Sequence, residues 1–163
     1  MKLLAKIDMP ATWLTNFRTS PGLKAVILIT LAWCAPTLAQ DRIIIDMDRG
    51  GSLEIRLAEI ADLRRSGQSV EISGECDSAC TMYLGLPQTC VHPSAILGFH
   101  GPQSQMYGIG LPPDEFEYWS QIMGSHYPPT LRRWYLSKGR NLTVGIYQIR
   151  GPDLIRMGAR PCS

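Results

Sequence analysis

The feature that most constrains the fold is an alternation of strand and helix patterns that begins after residue 40. β-Branched apolar runs are typical of buried strands, and apolar residues spaced three or four apart are typical of amphipathic helices. The predicted order is strand, helix, strand, helix, strand, over residues 41–47, 52–65, 70–73, 78–86 and 95–100. Strands that alternate with helices pair in parallel through right-handed crossovers. The sequence therefore predicts an α/β fold built on a parallel sheet.

The rest of the chain has mostly helical patterns. Residues 101–113 are rich in Gly, Pro, Gln and Ser, which indicates a mobile loop. Start and stop signals, such as Pro and acids in a first turn or Gly at a helix end, favour helices over residues 112–124, 130–138 and 152–157. The apolar segment 141–150 fits either a strand or a helix. We therefore expect a largely helical C-terminal part.

An apolar run at residues 25–38 follows Lys24 and ends in small residues around Ala39. A basic start, a short apolar run and a small-residue cleavage site are typical of a secretory signal peptide. The run is short for a membrane span, which takes about 20 residues. We interpret residues 1–39 as a signal peptide and residues 40–163 as one domain of a periplasmic or secreted protein. Any membrane contact is then expected through the leader alone, with an uncleaved N-terminal anchor as the alternative.

Removal of the leader changes the charge balance. The chain has 16 Lys and Arg residues and 14 Asp and Glu residues, of which four basic residues and one acid lie in the leader. The remaining part therefore has 12 basic and 13 acidic residues and a net charge of −1. Because nucleic-acid-binding domains carry clustered positive charge, we expect no nucleic-acid partner.

Four cysteines lie after the leader: Cys76, Cys80, Cys90 and Cys162. An even number of cysteines in an exported chain predicts two disulfides, although sequence alone leaves three pairings open. We prefer Cys80–Cys90, which would close the segment between them, and Cys76–Cys162, which would anchor the C-terminus. A zinc site formed by the first three cysteines and His92 is the alternative, but its spacing is irregular for structural zinc. We therefore expect no metal and no cofactor.

Three short motifs follow predicted strands and should meet at one edge of the sheet. Gly50 and Gly51 follow the first strand, Ser78 follows the second after a turn at Gly74, and His100 ends the third. In parallel sheets, ligands bind beyond the carboxyl ends of the strands. A serine at a helix start can act as a nucleophile, but it can equally cap the helix, and a strand-end histidine can equally be a packing residue.

The order of these motifs resembles that in the proteolytic subunit of the Clp protease and, more closely, in small periplasmic relatives within the ClpP/crotonase superfamily. The matching segments are Gly-Gly at 50–51, Gly-Glu-Cys-Asp-Ser-Ala at 74–79 and Gly-Phe-His-Gly-Pro at 98–102. The resemblance implies Ser78 as the nucleophile and His100 as the general base. It also implies that the backbone N–H groups of Gly51 and Ala79 form an oxyanion hole.

The resemblance is incomplete at the acid that orients the base. The family's aspartate falls in the region of residues 143–149, where this chain has no acid. The nearest acid is Asp153, which we take as the candidate, although it also fits the first turn of a helix. The chain also lacks the long helical handle that builds the stacked rings of the Clp protease. We therefore expect neither those rings nor an ATPase partner, while a homo-oligomer stays open.

The sequence thus predicts an exported serine hydrolase that cleaves a peptide or another acyl substrate. The alternative is a non-catalytic periplasmic binding or assembly domain that retains the ClpP-like fold, which the missing acid and the small size favour. A crotonase-type enzyme that uses the same oxyanion hole on acyl thioesters is a third hypothesis. An exported location, poor in coenzyme A, argues against it.

Overall fold

The computed structural model describes residues 41–104, 106 and 110–163. Its strands are β1 (Ile43–Asp48), β2 (Val70–Asp77), β3 (Thr89–Val91), β4 (Ile96–Phe99) and β5 (Tyr147–Arg150). Its α-helices are α1 (Leu53–Ser66), α2 (Pro113–Ser125), α3 (Pro129–Ser137) and α4 (Gly151–Arg156). The 3₁₀ helix Ser78–Gly85 is called the serine helix below, and a second 3₁₀ helix spans Gly139–Asn141. The predicted leader, residues 1–39, and residues 105 and 107–109 of the predicted loop lie outside the described residues.

The sheet has the strand order β1-β2-β4-β5, and β3 also pairs with β2. Strands β1, β3 and β4 run parallel to β2, whereas β5 is antiparallel to β4. Because β3 pairs with the first half of β2 and β4 with the second half, both lie on the side of β2 opposite β1. The prediction of an α/β fold with a largely parallel sheet is confirmed.

Helix α1 begins and ends where its sequence signals predict. The Ser52 side chain accepts a hydrogen bond from the backbone N–H of Ile55 at 3.3 Å, as an N-cap residue does. Gly67 ends the helix in the left-handed conformation (φ +70°), and its N–H donates to the Leu63 carbonyl at 2.9 Å. The helix is therefore held at both ends by local contacts.

The predicted turn at Gly74 is wrong, because β2 continues through this residue to Asp77. Gly74 lies against a bulge in β1, where the strand register shifts between Ile45 and Met47. A Cβ atom at position 74 would lie 2.0 Å from the backbone oxygen of Asp46, so the close approach of the two strands requires glycine. The longer strand leads directly into Ser78.

Three further differences from the predicted elements concern short segments. The segment predicted as a helix over 78–86 is a 3₁₀ helix that ends at Gly85. Strand β3 has only three residues and was not expected from the sequence pattern. The ambiguous segment 141–150 forms a strand over its last part, Tyr147–Arg150.

The serine helix lies inside the hydrophobic core. Ala79, Cys80 and Met82 are fully buried, and the helix packs against α1, α2, β2 and β4. Phe99 on β4 makes edge-to-face contacts with Tyr127 and Trp134, with ring centroids 5.5 and 5.6 Å apart, and so joins the sheet to the C-terminal helices. Among the described helices, none combines the length and apolar character needed to cross a membrane.

The four cysteines form two disulfides, but the preferred pairing is wrong: the bonds are Cys76–Cys80 and Cys90–Cys162. The serine helix turns back over the end of β2, which brings Cys80 within 5.3 Å (Cα–Cα) of Cys76. The C-terminal segment runs beside β3, where the Cys162 N–H donates to the Val91 carbonyl at 3.1 Å. This contact sets Cys162 beside Cys90, with a Cα–Cα distance of 4.9 Å.

Candidate active site

One cavity brings together Gly51, Ser78 and His100, three of the residues that the motifs predict as a site. The cavity has a volume of about 750 Å³. Its apolar lining comes from α1 and α2 and from the segment between β4 and α2, and consists of Leu53, Ile55, Pro102, Leu111, Trp119 and Met123. The carboxyl ends of β1, β2 and β4 therefore meet at a shared pocket, as expected for a parallel sheet.

Ser78 has a strained backbone at the junction of β2 and the serine helix. Its φ of +56° makes it the single non-glycine residue with positive φ in the part of the chain that the structure describes. Asp77 occupies the N-cap position, so Ser78 is the first residue within the helix and not its cap. The Ser78 carbonyl accepts a hydrogen bond from the Thr81 hydroxyl at 2.7 Å. Backbone strain of this kind concentrates at functional sites.

The Gly50–Gly51 turn packs directly on the start of the serine helix. Both glycines have positive φ, +91° and +130°. A Cβ atom on Gly50 would lie 2.7 Å from the Ser78 Cβ and 2.9 Å from the Ala79 backbone nitrogen. A Cβ atom on Gly51 would instead meet open space. The two residues predicted to form an oxyanion hole, Gly51 and Ala79, therefore lie on adjoining segments, and the Ala79 side chain is buried.

His100 has a defined tautomer. Its Nδ1 lies 2.6 Å from the Gly101 carbonyl oxygen. Because a carbonyl only accepts hydrogen bonds, Nδ1 carries a proton, and in the neutral imidazole Nε2 is then the nitrogen with the lone pair. The Gly101 N–H donates to the Leu142 carbonyl at 3.0 Å, and the Tyr135 hydroxyl donates to the His100 carbonyl at 3.2 Å. The backbone on both sides of the ring is therefore anchored.

Asp153 does not reach this pocket. It lies in the first turn of α4 and forms an ion pair with Arg156. The residue just before α4, Arg150, pairs with Ile96 at the beginning of β4, whereas His100 follows the end of that strand. The structure therefore places Asp153 at the opposite end of β4 from His100.

Asp77 is an acid that lies near His100, and it was not among the site residues predicted from the sequence. The register of β2 and β4 sets Asp77 opposite Gly98, two residues before His100. A Cβ atom on Gly98 would lie 2.2 Å from the Asp77 Oδ1, so the missing side chain makes room for the carboxylate. Burial and the Glu75 charge raise the pKa of Asp77, while the Arg49 and His100 charges act in the opposite direction.

The sequence does carry a signal for this acid, because a glycine two residues before a strand-end histidine leaves space beside it. That signal becomes specific only when the pairing register of β2 and β4 is known. The resemblance to the family instead implied an acid at residues 143–149, where this chain has none, and so gave no indication of Asp77.

No protein-family model matches this chain, and no curated protein matches it. Among solved structures, the chain is similar to a mutant of the 1510-N membrane-bound stomatin-specific protease in complex with a substrate peptide, with a TM-score of 0.54 and 20% sequence identity. The match covers 72% of this chain and 57% of that one, so this chain spans little more than half the length of its neighbour. At this identity the likeness establishes the fold alone, and the chain has a ClpP-like α/β fold.

Proposed function

We propose that this protein is an exported serine hydrolase that cleaves a peptide or another acyl substrate. The observation that carries the proposal is a single pocket that contains Ser78 in a left-handed backbone, the Gly51 turn and a tautomer-defined His100. Nucleophile, oxyanion donors and general base are the three parts that acyl transfer by a serine requires.

In the proposed mechanism, the Ser78 hydroxyl oxygen attacks the substrate carbonyl while the Nε2 of His100 accepts the hydroxyl proton. The backbone N–H groups of Gly51 and Ala79 stabilise the oxyanion of the tetrahedral intermediate. His100 then donates its proton to the leaving group, which departs and leaves an acyl ester on Ser78. A water molecule, deprotonated by His100, hydrolyses that ester and restores the free serine.

The Gly101 carbonyl performs part of the work that a triad carboxylate performs. It orients the imidazole and holds the proton on Nδ1, as the hydrogen bond of 2.6 Å requires. A serine protease whose histidine has the wrong tautomer loses a factor of about 10⁴ in kcat. A neutral carbonyl avoids that loss but does not neutralise the imidazolium. The Asp77 carboxylate, which faces the same strand end, supplies negative charge for that purpose.

The cavity walls combine apolar side chains, such as Leu53 and Trp119, with charged ones, such as Arg49 and Glu115, which suits a peptide that carries both kinds of group. The structural neighbour was solved with a substrate peptide, which supports a peptide as the first substrate to test. The two disulfides support export, because such bonds persist in oxidising compartments. Cell fractionation of a tagged full-length chain tests export, and a purely cytoplasmic, reduced protein would contradict it.

Labelling with a fluorophosphonate probe tests the proposed nucleophile. We expect covalent labelling of the oxidised protein, its loss in Ser78→Ala and a reduction of at least about 100-fold in His100→Ala, the range for a general base. Ser125→Ala is the matched control, because Ser125 is exposed at the end of α2 and lies outside the cavity lining. Absence of labelling in the folded wild-type protein, or persistent labelling in Ser78→Ala, would contradict the proposal.

A non-catalytic binding domain is the second candidate. The specific observation in its favour is that the hydrogen-bond partner of the His100 Nδ1 is a backbone carbonyl and not a carboxylate. This candidate expects a peptide to bind the pocket without turnover and with equal affinity for wild type and Ser78→Ala. Calorimetric titration combined with product analysis separates the two candidates.

A further inference from the structure

A charged network lies directly behind the Gly50–Gly51 turn. The Asp48 carboxylate at the end of β1 accepts a hydrogen bond from the Gly50 N–H at 2.8 Å through Oδ1. Its other oxygen, Oδ2, accepts one from the Arg56 Nη2 at 2.6 Å. The Arg56 side chain is 9% exposed and the Asp48 side chain 20% exposed, so this ion pair is largely withdrawn from solvent. One carboxylate therefore joins the turn to helix α1.

Arg56 also contacts the serine helix. Its Nη1 donates hydrogen bonds to the Tyr83 hydroxyl and, at 3.0 Å, to the Glu59 carboxylate. Tyr83 is 2% exposed and lies on the same 3₁₀ helix that begins with Ser78. Burial raises the pKa of Tyr83 well above its ordinary value, so the hydroxyl stays neutral and accepts from the guanidinium. A single guanidinium thus links the Gly50–Gly51 turn to the serine helix.

The two linked segments touch at the site itself. The turn and the helix meet with no room for a Cβ atom on Gly50, which would lie 2.8 Å from the Asp77 carbonyl oxygen. A displacement of Gly50 must therefore move Gly51 relative to Ser78 and Ala79. Oxyanion stabilisation depends on the mutual placement of two N–H donors on these two segments.

We propose that Asp48 and Arg56 are positioning residues that set the geometry between the Gly51 N–H and the Ala79 N–H. This inference rests on the proposed serine hydrolase function. Neither residue lines the cavity, so the pair acts through the backbone of the turn and through Tyr83. A buried ion pair is often no more stabilising than apolar residues of similar volume, so a contribution to stability does not by itself account for this network.

Steady-state hydrolysis of p-nitrophenyl acetate by Asp48→Asn and Arg56→Lys tests the role in catalysis. Asparagine keeps an acceptor for the Gly50 N–H but loses the negative charge that binds Arg56. Lysine keeps the positive charge of Arg56 but loses the two terminal guanidinium nitrogens that bind two partners at once. We expect kcat to fall about 10- to 100-fold in each variant, less than the full loss of an oxyanion donor, with KM changed less than about twofold.

Asp62→Asn is the matched control, because Asp62 pairs with Arg65 on the exposed face of the same helix. Thermal unfolding confirms that each variant is folded at the assay temperature. If Arg56→Lys does not fold, Asp48→Asn decides the test, since Asp48 is more exposed. A folded Asp48→Asn with the wild-type kcat would overturn the proposal, and so would an equal loss in Asp62→Asn.

Backbone ¹⁵N relaxation gives a readout that does not depend on activity. We expect the order parameter of Gly51 to fall from a rigid value near 0.85 towards about 0.6 in both variants, with no change in Asp62→Asn. If the wild-type protein neither hydrolyses the ester nor reacts with the fluorophosphonate, the proposed function fails and relaxation alone decides the positioning role. An unchanged Gly51 order parameter in both variants would refute it.

Discussion

Two disulfides restrain two different regions of this domain. Cys76–Cys80 spans four positions across Ser78, and both of its cysteines are fully buried. Cys90–Cys162 joins residues 72 positions apart and borders a separate cavity of about 320 Å³ near the C-terminus. The first bond restrains the backbone of the candidate nucleophile, whereas the second restrains most of the folded chain.

The two disulfides also differ in how much they are expected to contribute to stability through the entropy of the unfolded chain. In the loop-closure model, a loop of 72 residues contributes about 4 kcal/mol to stability and a loop of four residues about 2 kcal/mol. The left-handed conformation of Ser78 costs roughly 1–2 kcal/mol for an L-residue, and the short bridge encloses that residue. The long bridge should therefore affect mainly stability, and the short bridge mainly activity.

The largest expected effect is on stability, in the double variant Cys90→Ser/Cys162→Ser. We expect the free energy of unfolding to fall by about 4 kcal/mol, because the unfolded chain is released from its long loop. Urea denaturation measures this loss, and fluorophosphonate labelling at low temperature should proceed at the wild-type rate in the folded fraction. A labelling rate reduced tenfold in fully folded protein would remove the distinction between the two bonds.

The next effect is on activity, in the double variant Cys76→Ala/Cys80→Ala. Without the bridge, Ser78 can relax to negative φ, and we expect labelling to slow at least about tenfold, which corresponds to about 1.4 kcal/mol. The free energy of unfolding should fall by at most about 2 kcal/mol, less than in the other double variant, because the relaxation of Ser78 offsets part of the lost loop constraint. The two double variants are distinguished by comparing, for each, the fold-change in labelling rate with the loss in the free energy of unfolding. Wild-type labelling in this one would show that the strand end holds Ser78 unaided.

The same contrast explains which parts of the fold could be predicted from the sequence. Patterns within one segment predicted β1, α1 and β4, because apolar spacing and caps are local signals. Strand β3 has three residues, too few for a periodic pattern, and forms because the C-terminal segment and β2 pair on either side of it. The cysteine pairing depended on that same long-range contact.

The residues of the candidate site also divide into those that sequence signals predicted and those that depend on contacts between distant segments. Gly51, Ser78 and His100 follow β1, β2 and β4, which are parallel neighbours in the sheet, so the rule for strand ends was enough to bring them together. The partner of the His100 Nδ1 is a backbone carbonyl, which has no signature in the sequence. Asp77 depends on the pairing register with Gly98, and a prediction from chain order pointed to Asp153 instead.

The smallest expected effect compares one acid from each region, Asp77 inside the short bridge and Asp153 in the C-terminal part. We expect Asp77→Asn to slow fluorophosphonate labelling about fivefold, since a partly exposed charge pair with the His100 imidazolium contributes about 1 kcal/mol. Asp153→Asn should label at the wild-type rate, because Asp153 pairs with Arg156 away from the pocket. The opposite pattern, with Asp153→Asn slow and Asp77→Asn unchanged, would return the orienting role to Asp153.

The pH dependence of stability tests the same carboxylate without an activity assay. Burial, together with the Glu75 charge, raises the pKa of Asp77 in the folded protein. A carboxyl with a raised pKa binds its proton more tightly when folded, so its contribution to stability is present below the unfolded pKa of about 3.9 and is lost as the pH rises through the folded value. Asp77→Asn removes this loss. Urea unfolding at a series of pH values should therefore show that the free energy of unfolding of Asp77→Asn increases relative to that of wild type as the pH rises.

A variant that is slower in labelling yet more stable at neutral pH would identify Asp77 as a charge kept for the reaction. A variant that is less stable at every pH would identify Asp77 as an ordinary structural residue.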